Sequence, residues 1–178
     1  MKTARTPILR WYGNAREERK LAQTLFAETA CRARAPVFFT ELCVADTMDG
    51  RFDLLTLHVW LVMEQLVSHS LSLSQAFIDE IFLGFEEALR ELGTGDVGMT
   101  RRLKIIGNAF YGRLAAYRGA EDVSDLTDAV ARNVYRSNDA QGSEARALAT
   151  YASSARSHLA KAKIGHGELD FGPLPGAG

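Results

Sequence analysis

The segment DGRFDLLTLHVWLVMEQLV, residues 49–67, determines the fold. After an Asp-Gly turn signal it is apolar on almost every side, which is typical of a core helix or a membrane span. Asp53, His58 and Glu64 interrupt it, and its apolar part is shorter than the roughly 18–20 residues that cross a bilayer. A buried β-strand is the competing interpretation, but the segment is too long for one strand, and Leu and Met favour a helix. The segment therefore predicts the central helix of a bundle.

Periodic apolar residues predict further helices on both sides of this segment. The clearest pattern lies in residues 77–92, where apolar residues recur at i, i+3 and i+4, with Ser74 as N-cap and Gly93 as C′ glycine. No stretch alternates with a period of two residues. The sequence predicts an all-α, single-domain bundle of about seven helices around a central apolar helix. The expected helices span residues 14–36, 36–46, 50–69, 77–92, 99–118, 124–135 and 143–163.

The ends of the chain are predicted to differ from this domain. Residues 1–13 read as a basic N-terminal arm, residues 14–164 as the helical domain, and residues 165–178 as a flexible C-terminal tail rich in Gly and Pro. Asn14 is the expected N-cap of the first helix, because Glu17 follows three residues later. Residues 46–50 are expected to form a turn.

Composition limits the classes of function. The 178 residues are 47% hydrophobic and carry a net charge of -1, so overall charge does not indicate a nucleic-acid partner. Cys31 and Cys43 form no disulfide framework or metal pattern and are expected to be reduced, as in a cytosol-like compartment. The N-terminus shows no long apolar stretch, so we expect no secretory signal.

Catalytic and metal motifs find no support in the sequence. Gly93-x-Gly95-x-x-Gly98 matches the dinucleotide fingerprint in letters, but a helix precedes it where that fingerprint needs a strand. We interpret it as a helix cap and turn, although a weak anion site before the following arginines stays open. His58 and His69 lie too far apart along a helix to share a metal. We expect no catalytic residue, no cofactor and no metal.

Residues 99–118 form the most basic predicted helix. One interpretation is an ordinary amphipathic helix with solvated charges; the other is a binding face for an acidic partner, RNA or an anionic membrane surface. The candidate binding residues are Arg101, Arg102, Lys104, Tyr111, Arg113 and Tyr117.

Two blocks, DGRFDLLTLHVWLVMEQL and GTGDVGMTRRLKIIGNAFYGRLAAY, resemble the ubiquinol–cytochrome c chaperone family. The resemblance covers roughly residues 24–117. Glu64-Gln65 departs from the more basic pair expected there. The specific motif positions are Phe52-Asp53-Leu54, Leu57-His58, Trp60-Leu61, Gly95-Asp96, Gly98, Arg102 and Phe110-Tyr111-Gly112-Arg113.

The resemblance implies an all-helical chaperone domain without catalysis. It implies an assembly factor for the cytochrome bc1 (ubiquinol–cytochrome c reductase) complex, which binds newly made cytochrome b or an assembly intermediate. It further implies work near the ribosome or the inner-membrane surface, with no DNA partner. A bacterial-type member would be cytoplasmic or peripheral at the inner membrane, and a eukaryotic one mitochondrial. Through their motif positions, His58 and Trp60 join the candidate binding residues.

A membrane-protein client exposes apolar segments, so its chaperone needs an apolar groove. Aromatic residues are dense in the second to fourth predicted helices, and we expect some of them to line such a groove. The alternative is a helical nucleic-acid- or ribosome-binding protein that uses residues 99–118. The groove candidates are Phe38, Phe39, Trp60, Phe77, Phe82 and Phe85.

Overall fold

The computed structural model describes residues 7–136 and 142–176, with side chains from Ala15 onward. These residues contain no strand, and the all-α fold predicted from the sequence is confirmed. The described residues form seven α-helices and one short 3₁₀ helix. They are α1 (Pro7–Ala33), α2 (Val37–Thr40), α3 (Met48–His69), α4 (Leu71–Glu91), α5 (Asp96–Arg118), α6 (Val123–Asn133), α7 (Ser143–Leu159) and the 3₁₀ helix Ile164–His166.

Helix α3 contains the apolar segment of residues 49–67. It contacts α1, α4, α5 and α7, while α1 also packs along α4 and α6 along α7. Leu54, Leu57 and Leu61 of α3 are completely buried, and each such burial is worth on the order of 2 kcal/mol. Contact with four helices requires apolar residues on more than one face, which explains the composition of the segment.

The start of α3 differs from the turn predicted at residues 46–50. Thr47 is the N-cap, and its side chain accepts a hydrogen bond from the Gly50 amide at 3.2 Å. A Cβ at Gly50 would overlap the carbonyl oxygen of Ala45. The glycine therefore serves a close backbone approach within the first helical turn, and not a turn between elements.

The break between α3 and α4 is shorter than predicted. Ser70, and not Ser74, is the N-cap of α4, and its hydroxyl accepts from the Leu73 amide at 3.2 Å. Ser74 lies inside the helix, where its hydroxyl donates to the Leu71 carbonyl. At the other end of α4, Gly93 has φ of 79°, and the predicted C′ glycine is confirmed.

Other helix boundaries shift by a few residues. Helix α1 begins at Pro7 instead of Asn14, which fits the preference of proline for a first helical turn. Helix α5 begins at Asp96, whose carboxylate favours a helix N-terminus, instead of at residue 99. Helix α7 ends at Leu159, four residues before the expected end.

Part of the predicted C-terminal tail is held against the bundle. Residues 167–176 form no helix, as their Gly and Pro content predicts. Phe171 is nevertheless only 7% exposed, and Arg32 of α1 donates from Nη2 to the carbonyls of Gly172 at 2.7 Å and Pro173 at 3.0 Å. Around Phe171, the chain thus packs against the bundle and bonds to α1, while the flexibility of residues 165–178 stays a prediction.

Candidate functional site

An open groove of about 630 Å³ lies between α1, α3, α4 and α5. Its inner surface is mainly apolar. Phe52 and Leu55 come from α3, Phe85 and Leu89 from α4, and Ile106 from α5. The helices place these residues together because each lies one helical turn from another lining position of the same helix. We call this feature the α1–α5 groove.

The rim of the α1–α5 groove exposes large apolar side chains to solvent. Met48 is 63% exposed, Leu92 is 61% and Ile105 is 59%, and all three line the groove. Scattered apolar residues are normal on a protein surface, but a concave patch of them marks an interaction site. The rim therefore identifies the groove as a candidate site for an apolar partner.

Two arginines that line the groove, Arg113 and Arg136, enclose a buried carboxylate. Asp53 is completely buried. Its Oδ1 accepts from Arg113 Nε at 2.7 Å, and its Oδ2 accepts from Arg136 Nη1 at 2.8 Å. Burial raises the pKa of the Asp53 carboxyl, and the two guanidinium groups oppose that rise. Arg113 also lies over the Phe52 ring, with Cζ 5.0 Å from its centroid.

The groove continues past two further arginines. Arg34 and Arg51 line the groove. The same two arginines also line a smaller hollow of about 370 Å³, together with Pro36 and Phe39. Arg51 Nε is paired with Asp46 at 2.6 Å. The arginines thus separate two apolar surfaces, a larger one over α3 and α4 and a smaller one at α2.

Four of the candidate residues predicted from the sequence are exposed on α5. Arg101, Lys104 and Tyr111 face solvent, as does Arg102, whose Nη1 donates to the Thr94 hydroxyl at 2.6 Å. They lie outside the groove lining, although neighbouring residues of the same helix contribute to it. The three basic residues among them make this exposed part of α5 positively charged.

The other four candidates have different positions. Arg113 is half-buried and lines the α1–α5 groove. Tyr117 and His58 are completely buried, and Trp60 is 2% exposed. Trp60 and Tyr117 lie against each other with ring centroids 5.7 Å apart. His58 and Trp60 of α3 and Tyr117 of α5 thus belong to the core, and their contact with a partner stays a prediction.

His58 belongs to a chain of hydrogen bonds inside the bundle. Its Nδ1 lies 2.8 Å from the Leu54 carbonyl, which can only accept, so this nitrogen donates. Its Nε2 then accepts from the Tyr151 hydroxyl at 3.0 Å. That hydroxyl accepts in turn from Arg32 Nε at 2.9 Å. Burial lowers the pKa of His58 to about 4, and the nearby Arg32 adds to that effect.

The aromatic residues expected to line a groove divide into three groups. Phe85 lines the α1–α5 groove and Phe39 the smaller hollow. Phe82 is partly buried and stacks on Tyr111 with a centroid distance of 5.9 Å. The remaining candidates, Phe38, Trp60 and Phe77, belong to the core.

Sequence reasoning missed the role of Asp53 and Arg136. In the sequence, Asp53 is an interruption of an apolar run and a position of the Phe52-Asp53-Leu54 motif, and Arg136 lies one residue beyond the predicted sixth helix. A carboxylate on an otherwise apolar helix does indicate a cationic partner. Which cation it meets depends on how α5 and α6 cross α3, and no local pattern in the chain encodes that crossing.

Two negative observations apply to the described parts of the chain. Among these residues, no group of three or more His, Cys, Asp or Glu side chains could hold a metal ion. None of the helices in the described parts of the chain is long and apolar enough to span a bilayer.

Comparison with known proteins gives a consistent result. The family model for ubiquinol-cytochrome C chaperone matches residues 40–165. The fold is similar to a solved structure described as the crystal structure of the Cbp3 homolog from Brucella abortus, with a TM-score of 0.71 and 28% sequence identity. The match covers 86% of this chain and 88% of that one. Among curated proteins, none matches the chain.

Proposed function

This chain belongs to the ubiquinol–cytochrome c chaperone family, and from that premise we propose that it is a non-enzymatic assembly factor which binds newly made cytochrome b. The proposed client is cytochrome b or a cytochrome bc1 assembly intermediate. Binding takes place in the cytoplasm or at the inner-membrane surface.

The observation that carries this proposal is the α1–α5 groove with its exposed apolar rim. Met48, Leu92 and Ile105 expose apolar area around a concave surface. A newly made membrane protein presents apolar segments that must be kept from water until they are inserted or assembled. A preformed apolar groove can cover such a segment without a large rearrangement of the chaperone.

The experiment compares two exposed leucines at opposite ends of α4. Leu92 lies on the groove rim and is 61% exposed, while Leu71 lies at the other end of α4 and is 73% exposed. Tagged Leu92→Glu and Leu71→Glu variants are expressed in the host in place of the wild-type protein. Co-purification in mild detergent and the level of assembled bc1 complex are then measured, with subunit transcripts as a control.

We expect Leu92→Glu to lose cytochrome b and to lower the level of bc1 complex, with subunit transcripts unchanged. Leu71→Glu should retain both. Both substitutions are at exposed positions, so both proteins should fold. Wild-type bc1 levels in a strain that lacks the protein would contradict the assembly role, and equal recovery with both variants would contradict the groove as the client site.

The exposed basic residues of α5 support a second candidate function, binding to the ribosome or another nucleic-acid surface. Arg101 and Lys104 are exposed and form no ion pair with any residue that the structure describes. Exposed cations on one face of a helix bind polyanions with a steep salt dependence. This surface could operate together with the groove, because neither Arg101 nor Lys104 belongs to the groove lining.

The test of this second function is co-sedimentation with ribosomes over a salt titration. Arg101→Glu/Lys104→Glu should reduce binding at low salt. Lys161→Glu/Lys163→Glu makes the same charge change at exposed positions beyond α7 and should leave binding near wild type. If the wild-type protein shows no binding at low salt, α5 has no such role.

A further inference from the structure

The charged residues of the α1–α5 groove are not balanced by sign. Two acidic residues line it, Asp49 and Glu91. The basic lining residues are four arginines, namely Arg34, Arg51, Arg113 and Arg136. Such a surface on a groove that is otherwise apolar indicates a partner with a specific charge.

The carboxylates that contact these arginines are already engaged. Both oxygens of Asp53 are used, one by Arg113 and one by Arg136. Asp46 is bonded to Arg51. Asp49 lies 3.5 Å from Arg136, and that aspartate is exposed to solvent.

Arg34 stands apart from these pairs. It is exposed and lies one residue beyond Ala33, the last residue of α1. It forms no ion pair within the described part of the chain. With Arg51 it lies at the junction between the α1–α5 groove and the smaller hollow. A ligand that covers both apolar surfaces must pass these two guanidinium groups.

A wholly apolar ligand would cover these guanidinium groups without offering a hydrogen-bond acceptor to Arg34 or to the Nη atoms of Arg51, which, unlike the Nε bonded to Asp46, form no hydrogen bond with a described side chain. Desolvated charges without a partner oppose binding. A carboxylate in the ligand reverses this effect, since each guanidinium presents planar donors that match a carboxylate, and such bonds are stronger than neutral ones. The charge that fits this position on the ligand is therefore negative.

We infer that the α1–α5 groove binds an apolar segment that carries an aspartate or glutamate side chain, and that this carboxylate is bound at Arg34 and Arg51. The inference rests on the proposed function, in which the groove holds an apolar client segment. It adds a rule of selection, because apolar segments that lack an acidic side chain at this position bind more weakly.

The test uses three acetylated and amidated peptides of about 16 residues, which is long enough to form a helix on binding. They share one apolar face and differ in a single central residue of that face, which is Glu, Gln or Lys. Blocked termini leave the side chain as the source of any carboxylate effect. Affinities are measured by fluorescence anisotropy at low and at physiological ionic strength.

We expect the Glu peptide to bind about tenfold more tightly than the Gln peptide, as one charge-assisted bond predicts, and the Lys peptide to bind most weakly. Arg34→Gln/Arg51→Gln should bring the Glu-to-Gln ratio close to one. Arg118→Gln/Arg132→Gln removes the same charge at exposed positions outside the groove lining and should keep the ratio. Thermal unfolding verifies that all proteins are folded.

The remaining outcomes distinguish failure of this inference from failure of the proposed function. Equal binding of all three peptides, or a preference for Lys, overturns the inference and leaves the proposed function standing. A Glu preference that persists in Arg34→Gln/Arg51→Gln overturns the assignment to these arginines. If no peptide binds to the folded wild-type protein, the groove is not the client site, and the proposed function loses its main support.

Discussion

Asp53 and Arg113, sixty residues apart in the chain, are joined by a hydrogen-bonded ion pair in which Arg113 Nε lies 2.7 Å from Asp53 Oδ1. Asp53 belongs to the first sequence block that resembles the chaperone family, and Arg113 to the second. The pair ties α5 to α3 at the α1–α5 groove. The two blocks thus meet at a single structural feature, which fixes the groove wall.

The first prediction concerns this ion pair. Arg113→Met removes one of the two cations that compensate the buried Asp53 carboxylate, so we expect the free energy of unfolding to fall by about 3 kcal/mol. Urea denaturation measures the change. Arg90→Met removes a helix ion pair with Glu86 that is exposed to solvent, and it should leave the midpoint close to wild type. Equal midpoints for the two variants would show that the buried pair does not stabilise the fold.

The second prediction concerns pH. Burial lowers the pKa of His58 from 6.5 to about 4, so between these values the unfolded chain binds a proton that the folded protein does not. Stability contributed by neutral His58 is therefore complete above about pH 6.5 and is lost as pH falls towards 4, by about 3 kcal/mol.

The measurement is urea denaturation at several pH values for the wild-type protein and for His58→Gln, which has no group that titrates in this range. The difference in unfolding free energy between the two should shrink as pH falls from 6.5 to 4. This difference cancels the pH-dependent contributions of other titratable groups to the unfolding free energy. One of them is Asp53, whose raised pKa increases stability as pH falls. A difference that does not change with pH would mean that His58 is not buried in its neutral form.

The sequence predicted most of the fold because the dominant signals are local. Apolar periodicity located the long helices, and the C′ glycine Gly93 marked the end of α4. Competing local signals led to the errors. Serine is a good N-cap residue, so Ser70 and Ser74 are both candidates. Only Ser70 has the extended backbone of an N-cap, with φ of -159°, whereas Ser74 lies inside α4.

The candidate site was harder to predict, since burial depends on how helices cross. Trp60 and Tyr117 lie in the two blocks that resemble the family, yet both are core residues. Conversely, Phe52 and Leu55 line the groove, although nothing in the apolar run separates them from their buried neighbours. In a helix that is apolar on nearly all sides, the sequence does not indicate which side faces an open groove.

The third prediction distinguishes two helical glycines. Gly50→Ala should destabilise the protein by about 1–3 kcal/mol, because the added methyl group overlaps the Ala45 backbone. Backbone atoms cannot relieve the overlap by a change of rotamer, as a side chain could. Gly112→Ala lies in α5 with open space around its Cβ position. It should stabilise the helix by about 0.5–1 kcal/mol.

Thermal unfolding of the two alanine variants measures these effects with opposite expected signs. Both substitutions change the entropy of the unfolded chain in the same way, so the comparison isolates the close approach at Gly50. A stabilising Gly50→Ala would show that the start of α3 can move away from Ala45.

The fourth prediction concerns the C-terminal segment. Phe171 is buried, its ring lies 5.7 Å from the ring of His58, and the Cζ of Arg32 lies 5.7 Å from its centroid. Phe171→Ala removes these contacts and should cost about 3 kcal/mol of unfolding free energy. It should also make the segment a substrate for limited proteolysis, because the anchored backbone opens.

Leu174→Ala is the matched control, since Leu174 lies three residues further along the same segment but is only partly buried. It should cost less and should not open the segment to protease. The contrast separates anchoring by one buried ring from general contact along the segment. If a protease cuts after residue 166 as quickly in the wild-type protein as in Phe171→Ala, the segment is not held against α1 in solution, and the flexible tail expected from its Gly and Pro content is the better description.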